Sequence, residues 1–398
     1  MRRAFIPAAV LVAMLAAPAQ AQDTADARLS ALTDQWYDRQ LADLGQITAA
    51  DGSTTQGDRL PSVTPEANRL RAQYAQVTLA RLDAIDPSQL SPRAAIDAEV
   101  FRTLLETDIG NARLREWEMP FDSDSNFWSY LASPRGFTAV EDYDRYIARM
   151  RELPRYFAEQ QANARAGLAR GFSVPRVTLE GRDASLATYV TDDPERSPFW
   201  KAFTQIPERF SAADRERLKR EGRAAIAEAA TPAYAEFLRF FREEYLPQTR
   251  TTLGAELMPD GAAYYQQNIR EYTTLDLTAE QIHQIGLDEV ARITAEMEAV
   301  KAEAGFGGTL AEFIHFLRSD PQFVARSGDE LMGVSAYVAK RVDGKIADYF
   351  GFLPRHRFTI RPVDPAIAPF YTAGRGGRDA CQMNTTTCPH GRSTTSRR

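Results

Sequence analysis

Histidine is the first side chain to consider, because a neutral imidazole can bind zinc or exchange a proton near neutral pH. None of the four histidines (283, 315, 356 and 390) has a second histidine four residues away. That spacing places two rings on one helix face in zinc hydrolases. His283 shares a segment with Glu289 and Glu296, so an acid-base or metal role is open, but a packing or surface role is the simpler prediction. His315, within the apolar segment 313–317, is predicted at the edge of a core.

Two further sets of residues near the C-terminus carry groups that bind ligands. Cys381, Cys388 and His390 have zinc-binding atoms, but their spacing matches no common zinc site. The Gly-Arg-Gly-Gly-Arg segment at 374–378 suits a backbone nest for an anion or a substrate carboxylate. A plain flexible turn fits the same residues.

Complete catalytic motifs are missing from the sequence. It has no His-Glu-x-x-His, no Gly-x-Ser-x-Gly, no phosphate loop and no Gly-x-Gly-x-x-Gly after a strand. We therefore predict no catalytic residue and no metal ligand in this chain from motifs alone.

Helices are the elements expected to position these side chains. Apolar residues at helical spacing predict a first helix over Asp26–Ile47, which the polar segment 51–58 interrupts. Ser91 followed by Pro92 predicts a helix start, with the helix running to about Trp117. The apolar stripe of the first helix consists of Leu29, Leu32, Trp36, Leu41 and Leu44.

Capping boxes predict three later helix starts, because a Ser or Thr and an acidic or amide side chain three residues on satisfy each other's backbone N–H groups. The helix after the first box meets Pro154, which kinks or ends it. A long helical stretch over 211–244 is predicted to be interrupted at Thr231-Pro232. The boxes are Thr138 with Glu141, Thr278 with Gln281 and Thr309 with Glu312.

The helix that begins after Thr278 is predicted to carry an apolar seam along one face and to stop at the glycines of 305–308. Leu331–Phe350 is the last long helix predicted. The seam consists of Gly286, Val290, Ile293, Met297 and Val300.

The character of the sequence changes after Pro354. Alternating apolar residues within Arg357–Val363 predict a short strand. The fold class predicted is therefore mainly α, an extended antiparallel helical array with a short β-containing segment from Arg357 onward. Between the helices, the loop 122–134 contains Phe127-Trp128, which either lines a groove or, by default, anchors the loop by packing.

The first 21 residues predict a secretory signal peptide. Two arginines precede an apolar run over residues 4–17, and Ala-Gln-Ala at 19–21 is a cleavage pattern. The run is shorter than the roughly 20 residues that cross a bilayer, and no later segment approaches that length. We therefore expect cleavage near Ala21, a periplasmic or secreted location, and no membrane anchor.

Composition limits the partners further. The net charge is −6 with both signs well mixed, so the sequence has no basic footprint, and nucleic acid is not an expected partner. The two cysteines both lie near the C-terminus, so the main fold cannot depend on disulfides.

A longer stretch of sequence carries a resemblance to a known family. Residues 264–274, Tyr-Tyr-Gln-Gln-Asn-Ile-Arg-Glu-Tyr-Thr-Thr, followed by Leu277–Val290, resemble the bacterial family called domain of unknown function 885, whose members look like zinc peptidases. The resemblance covers about Asp26 to Thr385. It extends through Phe306-Gly307-Gly308, Leu353-Pro354-Arg355, the Pro365 region, Phe370-Tyr371 and Gly376-Gly377…Met383-Asn384-Thr385.

The resemblance implies a mostly helical fold similar to gluzincin-type peptidases, with a deep channel for peptide substrates. In that family a His-Glu-x-x-(Gly)-His helix binds zinc, and its glutamate activates water. That helix is expected soon after the segment matching Asn384-Thr385, and the 13 residues after Thr385 do not contain it. Zinc is therefore expected in a full-length parent and not in this chain.

Three substrate contacts also follow from the resemblance, on a segment that runs beside the family's catalytic cleft. Tyr371 would donate a hydrogen bond to a developing oxyanion, Arg375 would pair with a terminal carboxylate, and Asn384 would hold a substrate backbone. An aromatic core position, a solvated loop and a strand-end turn are the respective alternatives.

The last residues have no apolar periodicity and are abruptly rich in Arg, Thr and Ser. With codons chosen to fit this tail, restoring one base gives Tyr-Asn-Leu-Pro, which resembles the family's approach to its zinc helix. We therefore expect a signal peptide over 1–21, the helical N-terminal portion of a zinc-peptidase-like domain over 22–385, and an out-of-frame tail over 386–398. A natural short form with an unrelated tail is the alternative.

Two functions remain open on the sequence alone. The leading hypothesis is the N-terminal portion of an exported zinc-dependent peptidase-like hydrolase, inactive as written because the zinc motif is missing, whose parent acts on peptides. The alternative is a non-enzymatic helical binding module in the cell envelope. The first hypothesis predicts that helices within 278–350 expose apolar faces suited to a partner domain.

Overall fold

A computed structural model of the chain describes residues 24–48, 54–121, 126–132, 137–353, 359–363, 374–375 and 381–383. The predicted signal peptide (1–21), two of the predicted substrate contacts and the predicted tail (386–398) lie outside the described residues. So do His356, Cys388 and His390.

Helices dominate the described residues, and the prediction of a mainly α fold is confirmed. The α-helices are α1 (Ala25–Asp43), α2 (Pro65–Asp83), α3 (Pro92–Leu114), α4 (Val140–Arg170), α5 (Asp183–Ala187), α6 (Ala212–Ala225), α7 (Thr231–Phe240), α8 (Leu246–Gln248), α9 (Gly261–Thr273), α10 (Ala279–Glu303), α11 (Leu310–Ser319), α12 (Gly328–Asp343) and α13 (Ile346–Tyr349). The strands are β1 (Gln46–Thr48), β2 (Thr54–Gln56), β3 (Ile360–Pro362), β4 (Gly374–Arg375) and β5 (Cys381–Met383).

The strands form two small sheets. The predicted strand near the C-terminus is present as β3, which pairs in parallel with β5, while β4 pairs with β5 in antiparallel fashion. The sequence analysis does not predict the β1–β2 hairpin, since it assigns Gln46 and Ile47 to the first helix. That helix ends earlier because Gly45 has a φ of +65°, and a side chain there would meet the carbonyl oxygen of Arg59.

The first three helices share a hydrophobic cluster. The predicted stripe of α1 is buried except for Leu44, which follows the end of the helix and is exposed. Trp36 stacks on Tyr74 of α2 with ring centroids 5.5 Å apart, and its edge contacts Phe101 of α3. Helix α2 was missed in the sequence, although Thr64 caps it and Pro65 occupies its first turn.

Helix α4 corrects one prediction and, for Pro154, excludes the alternative that the proline ends the helix. It begins at Val140, and the carboxylate of Asp142, not Glu141, accepts the N–H groups of Thr138 and Ala139 at 2.7 and 2.8 Å. The helix also continues through Pro154 to Arg170. Buried side chains before and after the proline hold this helix in the core, so packing overrides the local preference to stop.

The run from Ala212 to Gln248 is helical throughout, so the predicted break at Thr231-Pro232 is wrong. Two wider π turns, Ile226–Ala230 and Phe241–Tyr245, separate α6, α7 and α8. Each π turn contains the residue four positions before a proline, where the proline ring would clash with a regular helical carbonyl. Widening the turn lets the helix continue through the core.

Aromatic side chains from α4 and from the 212–248 run fill the main core. Trp128 is fully buried there, and its Nε1 donates to Ser185 Oγ at 2.9 Å. The hydroxyl of Tyr234 donates to the carbonyl oxygen of Trp128 at 2.7 Å. The default prediction, a packed anchor for this loop, is therefore confirmed for Trp128.

Helices α10 to α13 contrast with this core, because no residue in them is buried. The capping boxes at Thr278 and Thr309 are confirmed. The predicted last helix over 331–350 is α12 and α13, with Gly344 and Lys345 between them. His283 is exposed, and so is His315, whose predicted core-edge position is wrong. The apolar seam residues of α10 are exposed as well: Val290, Ile293, Met297 and Val300.

Candidate functional site

Of the three predicted substrate contacts, Arg375 alone lies among the described residues. Tyr371 and Asn384 lie outside the described residues. Arg375 pairs with Gln382 in the β4–β5 ladder, so Gly374 and Arg375, the first two residues of the proposed nest or turn, lie in a strand. Gly376, Gly377 and Arg378 are outside the described residues.

A cleft in another part of the molecule brings together side chains that the sequence did not mark. Its volume is about 720 Å³, and α1, α2, α3 and α9 contribute to its walls together with the segments 116–121 and 174–178. It is lined by Gln40, Asn68, Arg71, Ala72, Asp108, Asn111, Ala112, Glu116, Trp117, Met119, Pro120, Phe121, Val174, Pro175, Thr178, Tyr264 and Tyr272. Both polar and apolar side chains line it, and sites that bind small organic ligands combine the two kinds of group.

Close packing of α3 against α9 builds one wall of the cleft. Gly110 and Gln267 are both buried at this contact, and a side chain at 110 would collide with the Gln267 amide. The absence of a side chain at Gly110 lets the two helices approach closely. Asp108 and Asn111 of α3 and Glu271 of α9 thereby belong to one polar cluster.

A tight turn after α3 presents Glu116 to the cleft. Arg115 ends α3 in the left-handed conformation, with a φ of 56°, and a short 3-10 turn over Glu116–Glu118 follows. Glu118 is buried and accepts a 2.7 Å hydrogen bond from Arg170 Nε at the end of α4. This ion pair anchors the turn that carries Glu116.

Glycine at 167 lets α4 approach the same turn. A side chain there would meet the carbonyl oxygen of Glu118 and lie 2.8 Å from that of Phe172. Since both obstacles are backbone atoms, neither could move aside cheaply. The position of Glu116 therefore depends on the contacts that α4 makes with Glu118 in the same turn.

Two carboxyl groups of the cleft bind protons more tightly than usual. Burial raises the pKa of Glu116, the like charge of Glu271 raises it further, and the hydrogen bond from Tyr264 opposes the shift. The pKa of Asp108 is also raised. The larger cause is loss of solvation by the surrounding protein and the smaller is the like charge of Glu271, although Asp108 keeps solvent access. The cluster thus concentrates negative charge that a bound cation would stabilise.

Asn111 connects the two helices across this cluster. Its Nδ2 donates to Glu271 Oε2 at 3.1 Å, and its buried Oδ1 has no hydrogen-bond partner in the described part of the chain. An amide oxygen in that state can accept a hydrogen bond from a ligand N–H.

Tyr264 and Arg71 complete the polar lining. Burial, together with Glu116, raises the pKa of Tyr264 to about 12, so its hydroxyl keeps its proton and donates towards Glu116 Oε1 at 3.4 Å. Arg71 donates to the carbonyl oxygen of Ser62 at 2.5 Å and to Asn68 Oδ1 at 3.1 Å. Arg71 therefore supports the wall, and the negative charge of the cleft comes from the carboxylates of Asp108 and Glu116.

These arrangements suit binding and proton exchange with a cationic ligand, and they do not fit a zinc ion. Over the residues that the structure describes, no group of three His, Cys, Asp or Glu side chains could hold a metal. Helices long and apolar enough to cross a membrane are likewise not found among the described residues.

Fold and site together define a mainly α-helical protein with an acidic cleft formed by its N-terminal half and α9. The model of a family described as "Bacterial protein of unknown function (DUF885)" matches residues 44–381. The chain belongs to this family. No curated protein is detectably similar to it.

A solved structure shares the fold. The crystal structure of a candidate lipoprotein from Colwellia psychrerythraea is 19% identical in sequence and superposes with a TM-score of 0.73. The match covers 92% of this chain and 68% of that chain. At this identity the likeness concerns the fold alone.

Proposed function

We propose that the chain is the peptide-binding helical portion of an exported zinc-peptidase-like protein, and that it does not hydrolyse peptides by itself. The family relationship supports the first part, through the resemblance of its members to zinc peptidases. The lack of a His-Glu-x-x-His motif in the 398 residues supports the second. Tyr371, Arg375 and Asn384 remain predicted substrate contacts, zinc a cofactor predicted for the parent, and Ala21 the predicted cleavage position.

The acidic cleft carries the proposal that peptides bind here. Asp108 and Glu116 both have raised pKa values, partly because Glu271 repels their charged forms. A peptide's α-ammonium group would relieve that repulsion and form charge-assisted hydrogen bonds. The free Oδ1 of Asn111 would accept an N–H group of the peptide backbone.

Calorimetry with trialanine amide tests this assignment, since the amide leaves the α-ammonium group as the only charge. We expect binding that N-acetylation of the peptide abolishes. Glu116→Gln should weaken binding about tenfold or more, because losing a hydrogen bond to a charged group costs a binding free energy of that size. The matched control is Glu106→Gln, an exposed residue of α3, the helix that precedes the Glu116 turn, and it does not line the cleft. Equal affinity for the free and acetylated peptides would refute the assignment.

Hydrolysis assays test the second part. The purified chain, supplied with zinc, should release no product from short peptides, because it lacks the motif that would activate water. Chelator-sensitive cleavage by this chain would show that it carries a complete metal site, and the proposal would then be wrong.

A non-enzymatic binding module of the cell envelope is the competing function. The exposed apolar residues of α10 and α12 favour the first function, since a large exposed apolar area is typical of a surface that packs against another polypeptide. If so, the isolated chain should scatter light during its thermal transition. A reversible melt of a monodisperse monomer without scattering would favour the self-sufficient module.

A further inference from the structure

We propose that a second pocket, which Arg149 lines, binds a small oxyanion such as a carboxylate or phosphate group. The pocket has a volume of about 330 Å³ and lies between α4 and the β1–β2 hairpin. It shares no lining residue with the acidic cleft. Its lining consists of Gln46, Thr54, Thr55, Gln56, Gly57, Tyr130, Phe137, Asp142, Arg145, Tyr146 and Arg149.

One face of α4 supplies the charged groups of this pocket, because residues three and four apart lie above one another on a helix. Arg145 donates to Asp142 Oδ1 at 2.5 Å, so these two charges offset each other. The other carboxylate oxygen of Asp142 accepts the N–H groups of Thr138 and Ala139. Both carboxylate oxygens of Asp142 are therefore already hydrogen-bonded, one to the start of α4 and the other to Arg145.

Arg149, one turn further along, has no such partner among the described residues. Its Nε atom is buried without a hydrogen bond, and no carboxylate of the described residues acts on its charge. The titratable groups that act on it are the hydroxyls of Tyr146 and Tyr156, whose pKa values are raised by burial, so both are neutral. Burial lowers the pKa of Arg149, yet a guanidinium keeps its charge at neutral pH.

A half-buried cation without a counter-ion is unfavourable, and an anion in the pocket would remove that cost. The planar guanidinium binds carboxylate and phosphate oxygens through two parallel hydrogen bonds. Thr54, Thr55 and Gln56 add neutral polar groups on the facing strand, and the ring of Phe137 adds an apolar surface. The volume is at the lower end for small-molecule sites, which suits a compact anion with a small apolar body.

Thermal melting of the full chain at constant ionic strength tests this site, with chloride exchanged for inorganic phosphate or for N-acetylphenylalaninate. Either oxyanion at about a hundredfold excess over its Kd should raise the melting temperature by about 3 °C. A response to phosphate alone would identify a phosphoryl ligand, and a response to N-acetylphenylalaninate alone would identify a carboxylate with an apolar body.

Two variants assign the response to Arg149. Arg149→Met should abolish it, while Arg151→Met, at an exposed position of the same helix, should retain it. If Arg149→Met does not fold, Arg149→Lys keeps the charge but loses the paired donors and should weaken the response severalfold. An unchanged response in the Arg149 variants, or equal melting temperatures of the wild type in all three salts, would overturn the proposal.

Discussion

Asn111 Nδ2 donates a 3.1 Å hydrogen bond to Glu271 Oε2, which joins α3 to α9 across 160 positions of sequence. The bond fixes a charged carboxylate near Asp108 and Glu116 and leaves the buried Asn111 Oδ1 available for a further donor. The acidic character of the cleft thus depends on how these two helices pack.

Neutralising Glu271 should lower the pKa values of its neighbours. Glu271→Gln keeps an oxygen that can accept from Asn111 and removes the charge that raises the pKa of Asp108 and Glu116. Carboxyl-carbon NMR titration with labelled aspartate and glutamate measures both groups. Glu106→Gln should leave both titrations unchanged. An unshifted Glu116 titration in Glu271→Gln would contradict the electrostatic coupling.

The raised pKa of Glu116 also predicts a pH-dependent gain in stability. A carboxyl group whose folded pKa is raised stabilises the fold below its ordinary value of 4.5 and loses that contribution as pH rises towards the folded pKa. Glu116→Gln should therefore raise the free energy of unfolding at pH 7 relative to wild type, and the gain should shrink at pH 4. Urea unfolding at the two pH values measures this. If Glu116→Gln increased the free energy of unfolding more at pH 4 than at pH 7, the pKa of Glu116 would be lowered in the fold, which would contradict this prediction.

The space around two helical glycines predicts opposite effects on stability when each is replaced by alanine. Gly167→Ala should destabilise the fold by about 1–3 kcal/mol, because the new methyl group meets backbone carbonyls of Glu118 and Phe172. Gly286→Ala should stabilise by up to about 1 kcal/mol, since open space surrounds this position of α10. Denaturant midpoints compare the two variants. Equal midpoints for Gly167→Ala and wild type would show that α4 and the turn are less tightly packed.

Loss of Arg170 should uncouple the turn from α4. Its ion pair with Glu118 is largely buried, with side-chain exposures of 14% and 7%, so Arg170→Met should cost about 3 kcal/mol. Arg93→Met removes an ion pair with Asp97 whose partners are 86% and 50% exposed, and should cost less than about 0.5 kcal/mol. Chemical denaturation should separate the two variants clearly. Similar losses would mean that the Glu118 pair does not anchor the turn.

Local signals in the sequence predicted much of the helical architecture. The capping boxes at Thr278 and Thr309 depend on residues three apart, and the stripe of α1 depends on helical spacing, so both can be predicted without the fold. The proline positions could not, because whether Pro154 and Pro232 end a helix depends on core packing and on the π turn at Ile226–Ala230.

The acidic cleft could not be predicted in the same way. Asp108 and Asn111 lie three residues apart near the end of a predicted helix, which is typical of any solvated helix face. Their significance arises only when α9 brings Glu271 beside them and the turn at Arg115 directs Glu116 to the same space. The contacts that assemble the site span more than a hundred residues, and no local motif encodes them.

Trp117 gives the most direct measurement of peptide binding, because it lines the cleft beside Glu116. Titration with trialanine amide should change the tryptophan emission to saturation in the wild type. The change should be lost in Trp117→Phe and should require about ten times more peptide in Glu116→Gln. The acetylated peptide should produce no change. Emission that stays constant, or that responds equally to both peptides, would contradict the assignment of the acidic cleft as a peptide-binding site.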